Sequence, residues 1–223
     1  MSDSDFDSEL IAAALTIAGE KGWRHVSAAA AARAADLPLT TARARFPSRH
    51  HILLRLGVLA DQAVLTEVPQ EGSVRDRLFD LLMRRYDAFQ THRAGIVAIM
   101  RALPWDPPTA LMLTCATRRS MRWMLNAAGV ETAGLIGECK VRGLVGVWLW
   151  GLRAWEKDDS EDLTATMAAV DSALERAEKA AIWLGAPRPA PTEPADDTGD
   201  DVDMATVSDD DADEGVPEID PPS

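Results

Sequence analysis

The chain has 223 residues, 47% hydrophobic and 26% charged, with 36 acidic against 23 basic side chains and a formal net charge of −13. That length sustains a helical core without metal or disulfide staples. Cys115 and Cys139 are its two cysteines; with no cationic leader running into an apolar core and a small-residue cleavage site, they read as reduced thiols of a cytoplasmic protein, which excludes a disulfide-built scaffold.

The acidity is unevenly placed. From Ala186 to Ser223 stand ten Asp and three Glu against Arg188 alone, so residues 1 to 185 carry a net charge of −1. This tail is rich in Pro, Ala and Gly and lacks aromatics; it buries too little apolar surface to offset the entropy of ordering, and disorder is expected over 186–223. Two roles stay open for it, solubility and competition with DNA for a basic surface.

In chain order the apolar residues before 186 recur with a period near 3.6, interrupted by Gly and Pro, and the expected fold is all-α. A first helix from about Ser8, with Leu10, Ile11, Ala14, Leu15 and Ala18 on one face, ends at Gly22, and Trp23 packs beneath it. Ser27 caps a second helix, AAAAARA. Ala34 to Pro38 is a turn in which Asp36 stands where positive φ is wanted. A third helix over about 38–45 has Leu39, Ala42 and Phe46 as its buried stripe, with Thr40, Thr41, Ala44 and Arg45 outward and Arg43 on the flank.

Ser48 caps a long fourth helix with Ile52, Leu53, Leu56, Leu59, Ala60 and Ala63 inward. After VPQEGS, Ser73 with Asp76 opens a helix to about Gln90, whose inner side carries Leu78, Leu81, Leu82, Arg85 and Phe89. Further helices are expected at about 93–102, 108–127, 131–157 and 160–184. The run LVGVWLWGL, 144–152, lies between Arg142 and Arg153. It is far short of the ~20 residues that span a bilayer, so it is a buried segment and no stable membrane insertion is expected.

Three short helices in the first 46 residues, the last two joined by a tight turn, form a helix-turn-helix pattern whose final helix can enter a major groove. Between Gly19 and Ala60 seven basic residues face Glu20 and Asp36, a local charge of +5 suited to phosphates. The segment VSAAAAARAADLPLTTARARFPSRHHIL, 26–53, resembles the signature of the TetR family, with Ser27, Ala32, Leu37, Thr41, Phe46, Ser48 and Ile52 on matching positions. Arg43 stands where that signature has Tyr, Arg49 where it has Lys, and Asp36 where it has Gly. The resemblance implies double-stranded DNA as partner, with Thr40, Thr41, Ala44 and Arg45 near base edges and Arg43, Arg49, His50 and the Ser27 hydroxyl nearer phosphates. The other reading of these arginines is a solvated face of a helical protein without DNA binding.

The same resemblance implies a larger helical body that holds an effector and dimerises through its last two helices. In the final helix Leu163, Met167, Val170, Leu174, Ala177 and Ala181 form a heptad-like seam suited to a partner helix, within the chain or in a homodimer. Val145, Leu149 and Leu152 share a face with Trp148 and Trp155 in the helix before it. Met100, Trp105, Met121, Met124 and Trp148 are candidates to line an apolar ligand pocket, and also candidates for plain core. From Ala128 onward the chain is also similar to the C-terminal domain of lipid-binding accessory proteins of ubiquinone biosynthesis, through Ala128-Gly129, an aromatic-rich helix, the acids of 158–162 and Thr166. Those proteins carry a Trp-Tyr-x-Lys-Arg run where this chain has residues 137–141, and paired acids at Arg122 and Trp123. That likeness implies an isoprenoid or other apolar ligand and a second function, lipid binding without DNA binding.

No Walker glycine loop, GxGxxG, GxSxG or HExxH occurs, and His25, His50, His51 and His92 are not spaced as metal ligands with the cysteines. No catalytic constellation, metal or cofactor is expected, and the acids of EKDDSED, 156–162, read as a loop and helix N-terminus. The expected organisation is a DNA-binding head over 1–50, a helical effector-binding and dimerisation body over 51–185, and the acidic tail.

Overall fold

A computed structural model describes residues 2–66 and 71–183, and its described elements are all helical. The expected disorder of 186–223, and residue 184 of the expected last helix, lie outside these residues. The helices are α1 (Asp3–Lys21), α2 (Ala28–Ala34), α3 (Leu39–Arg45), α4 (Arg49–Leu65), α5 (Val74–Gln90), α6 (Arg93–Ala102), α7 (Pro107–Ala127), α8 (Gly134–Trp155) and α9 (Thr164–Trp183). Single 3-10 turns at Trp23–His25 and Leu103–Trp105 precede α2 and α7.

Helix α1 begins well before the expected Ser8. Ser2 Oγ accepts from the Asp5 amide at 3.1 Å while the Asp5 carboxylate accepts from the Ser2 amide at 2.9 Å, a reciprocal cap that satisfies two otherwise orphaned donors. Ser73 and Asp76 cap α5 in the same way, as their spacing predicts. Asp36 adopts φ 52° in the α2–α3 turn, again as expected. Leu39, placed by its spacing in the buried stripe of α3, is instead 45% exposed. Leu37 takes the inward position because the turn through Pro38 brings it, rather than Leu39, beneath α2 and α3.

The last two helices start later than their apolar pattern suggests. The loop before α9 is organised by Asp158, whose carboxylate accepts from the Ser160 hydroxyl at 2.5 Å and from both the amide and hydroxyl of Thr166 at 2.8 Å. Burial alone would raise this carboxyl, but those hydrogen bonds outweigh it and hold its pKa at about 2.

Packing joins the parts into a continuous core. Helices α1 to α3 enclose Leu10, Ile11, Leu15, Trp23, Ala32 and Phe46. Helix α1 then lies across α6, and α4 lies along α5 and α7. The expected boundary at residue 50 thus falls inside the first turn of α4. Tyr86 stacks on Trp148 with ring centroids 4.5 Å apart and donates its hydroxyl proton to the Trp148 carbonyl at 2.7 Å. Helix α9 packs on α8 and α5, burying Leu163, Val170 and Leu174. The central residues of the heptad-like seam are therefore consumed within the chain, and a second copy would have to meet another face.

At the α1–α6 crossing Gly95 has no room for a side chain, since a Cβ there would collide with the Leu15 carbonyl. The obstacle is backbone, so it cannot yield cheaply. Gly95→Ala is expected to lose about 1–3 kcal/mol of stability in urea unfolding, as a lower midpoint at unchanged slope. A variant as stable as the parent would show that the helices can separate without cost.

Candidate nucleic-acid interface and apolar cavity

The outer side of α3 presents Thr40, Arg43 and Ala44 exposed and Thr41 partly so. Arg45 departs from the expected outward position. Its Nε donates to Asp7 Oδ1 at 2.7 Å, its Nη2 to Asp7 Oδ2 at 2.8 Å, and its Nη1 lies 2.8 Å from Asp3 Oδ2. Arg55 of α4 donates to the same Asp7 carboxylate at 2.6 Å. The Asp7 side chain is only 2% exposed. A carboxylate so enclosed needs paired cations, and that demand draws Arg45 back onto α1. Burial pushes the Asp7 carboxyl up, but the hydrogen bonds and charges of Arg45 and Arg55 prevail and leave it below the ordinary aspartate value.

The other cations divide between two tasks. Arg43 remains exposed, with Nη1 donating to the Pro47 carbonyl at 3.1 Å. Ser27 uses its hydroxyl to accept from the Ala30 amide at 3.1 Å, the cap that starts α2. Arg49 turns towards the body: Nη2 donates to Asp106 Oδ2 at 2.9 Å, and its guanidinium lies 5.4 Å from the centroid of the Trp23 ring. His50 Nε2 is 2.9 Å from Thr109 Oγ1. The expected phosphate contacts Arg49 and His50 thus join α4 to the N-terminus of α7. A cleft of about 580 Å³ brings Ser27, Arg43 and Arg49 together with Leu39, Pro47 and Ser48, while Thr40, Thr41 and Ala44 lie outside its lining.

A second opening, of about 750 Å³, lies among α4, α5, α6, α7 and α8. Leu53, Ile99, Met100, Leu113, Trp148 and Leu152 contribute much of its apolar wall. Of the residues expected there, Met100 and Trp148 line it. Met121 and Met124 are sealed in the core instead, and Trp105 stands 89% exposed on the turn before α7. Side chains on one helix share a face only if they are spaced for it, and neither Met121 nor Met124 lines this space.

The cavity also holds a polar group that residue types alone did not single out. Arg85 Nη1 donates to Asp61 Oδ1 of α4 and to Ser120 Oγ of α7, and Ser120 in turn donates to Asp61 Oδ1 at 2.5 Å. Arg85 is only 5% exposed and lies 5.1 Å from the centroid of the Trp148 ring and 5.7 Å from that of Phe89. Its place on the inner side of α5 was visible in the spacing; its partners on other helices were not. Likewise Asp7 shares a face with Leu10, Ile11 and Ala14, an acid on an apolar stripe that was itself a signal.

Among the described residues no group of His, Cys, Asp and Glu is placed to hold a metal ion, and no helix is long and apolar enough to cross a membrane.

A helix-turn-helix head joined through a long fourth helix to a helical body defines the class of fold. No family profile matches the sequence, and no curated protein does. Solved structures do match. The TetR transcriptional regulator from Nitrosomonas europaea superposes with a TM-score of 0.63 at 20% identity, covering 78% of this chain and 98% of that one. A TetR-family transcriptional regulator from Streptomyces coelicolor gives 0.58 at 18%, covering 82% and 85%, and a TetR transcriptional regulator from Rhodococcus gives 0.53 at 20%, covering 79% and 97%. The chain has the fold of TetR-family transcriptional regulators. The likeness to ubiquinone accessory proteins finds no support in these matches.

Asp7→Asn is expected to lower stability by about 1–3 kcal/mol near neutral pH, through lost charge-assisted hydrogen bonds to Arg45 and Arg55. Because the folded carboxyl is depressed below 3.8, its contribution is present in full above that value and is lost as pH falls through the lowered one. Urea midpoints of parent and variant should accordingly converge in acid. A constant gap down to pH 2 would show that Asp7 acts through packing alone.

Proposed function

We propose that the chain is a sequence-specific DNA-binding transcriptional regulator of TetR type, working as a cytoplasmic homodimer without enzymatic chemistry and controlled by an apolar small molecule. The observation that carries this reading is the course of α4. Its first turn holds Arg49 in the cleft of the head, and its remaining length, from Leu53 to Leu65, forms a wall of the apolar cavity. A ligand that moves that wall moves the support of the recognition helix, which is the physical requirement for coupling two sites.

Within this reading Thr40, Thr41 and Ala44 meet base edges, while Arg43, with Ser27 beside it, meets phosphates. Arg45 positions α3 through Asp7 rather than contacting a base. Arg49 and His50 connect the head to α7. Short side chains on the outer face of α3 let the helix approach the groove floor, and the threonine methyls suit contact with thymine.

The dimer is built from the last two helices, as the resemblance implies, but through the outer face of α8. Leu135, Leu149 and Trp150 are exposed there, at 87%, 52% and 52%. Gly143 and Gly146 lie between them with open space where a Cβ would stand, so another helix can approach closely. Two heads held about one DNA turn apart, ~34 Å, read a near-palindrome.

Fluorescence anisotropy on DNA from upstream of the chain's own gene, over a salt series, tests the proposal. Selective binding that weakens steeply with salt is expected, and Arg43→Ala should weaken binding on all sequences while reducing the salt slope by about 1. Binding that shows no preference over random duplex sinks the reading. For the dimer, Gly146→Glu places a charge where no neighbour in its own chain is disturbed. Sedimentation should then report monomers with unchanged helicity, and an unaltered dimer would remove α8 from the interface.

A further inference from the structure

The cavity is apolar over most of its wall, yet three ionisable side chains line it: Arg85, Arg119 and Asp61. Asp61 balances one cation, so the lining carries one excess positive charge. Arg119 is exposed at the edge and makes no ion pair among the described residues. Arg85 is enclosed, and its Nε has no hydrogen-bond partner although Nη1 serves both Asp61 and Ser120. An unpartnered N–H on an enclosed guanidinium costs free energy until an acceptor reaches it. Burial lowers the Arg85 pKa to about 10, which still leaves the side chain charged near neutrality.

These features select among occupants. A wholly apolar molecule would cover the wall but leave Arg85 Nε without an acceptor and the charge of Arg119 at the rim without a counter-charge. A cation would be repelled. An amphiphile with one negative charge meets all three conditions, and a carboxylate matches the planar fork of a guanidinium.

Resting on the regulator reading, we propose that the effector is an apolar monocarboxylate whose acid group accepts from Arg85 Nε and competes with Asp61 for that guanidinium, with Arg119 attracting it at the rim. The apolar body lies against Leu53, Met100, Trp148 and Leu152. The consequence follows from where Asp61 sits. It is on α4, and the Arg85–Asp61 pair ties α4 to α5. An incoming carboxylate weakens that tie and frees the helix that carries the head. A neutral ligand of the same shape has no such effect.

The test uses the full chain with decanoate and 1-naphthoate as probes, and decan-1-ol and 1-naphthylmethanol as their neutral counterparts, by isothermal titration calorimetry. Each acid is expected to bind at least about tenfold more tightly than its alcohol. Arg119→Met, an exposed site, should reduce that preference without changing alcohol binding. Asp61→Asn removes the competitor and should tighten acid binding severalfold, an effect that a purely structural Arg85–Asp61 pair would not produce. Circular dichroism confirms that both variants fold. Alcohols binding as well as acids, neither acid binding, or Asp61→Asn leaving acid affinity unchanged or weaker would each overturn the proposal. Anisotropy of the ligand-free chain on upstream DNA keeps the two readings apart: absent DNA binding ends the regulator reading, whereas present DNA binding with no acid preference ends only this one.

Discussion

The enclosed carboxylate of Asp7 is the constraint on which the head depends. It gathers Arg45 from α3 and Arg55 from α4 onto α1, so three helices that share a small apolar core are also held by one charge centre. Small helices such as α2 and α3 have too few turns to be stable alone and take their order from neighbours. A charge pair that tolerates little displacement fixes the angle of α3 more closely than apolar contact could, because burying Asp7 without its partners would be costly. The orientation of the outer face of α3 is thereby set by residues that lie behind it.

A second consequence concerns charge. The basic head suggested by composition carries +5 between Gly19 and Ala60, but several of those cations are already engaged. Arg45 and Arg55 serve Asp7, and Arg49 serves Asp106. What faces outward on α3 is chiefly Arg43 with short polar and small side chains. In the regulator reading proposed above, such a surface meets DNA by shape and a modest number of phosphate contacts, rather than by a dense field of arginines.

Helix α4 unites these regions. At one end Arg49 and His50 contact the start of α7, and further along Asp61 pairs directly with Arg85 in the wall of the cavity. Hydrogen bonds at both ends make the helix a strut with defined attachments, and the cavity lies between them. Helix α1 also crosses α6 at Gly95, where a Cβ would meet the Leu15 backbone, so the head has a second attachment to the body.

The sequence by itself determined the helical class, the order of the helices, the Ser27, Ser73 and Asp36 signals and the helix-turn-helix pattern, because caps, turns and the 3.6-residue period are decided by neighbours within a few positions. Helix starts at α1, α8 and α9 were less readable, since the Ser2–Asp5 cap precedes the apolar stripe and Asp158 holds its loop through Thr166. Only the tertiary structure decided which way each cation turned, that Met121 and Met124 are core while Asp61, Arg85 and Ser120 share a cavity, and that the seam of α9 is filled from its own chain. The reason is physical: a long side chain is directed by the charge or aromatic face that some distant helix brings within a few ångströms, and no local spacing records that encounter.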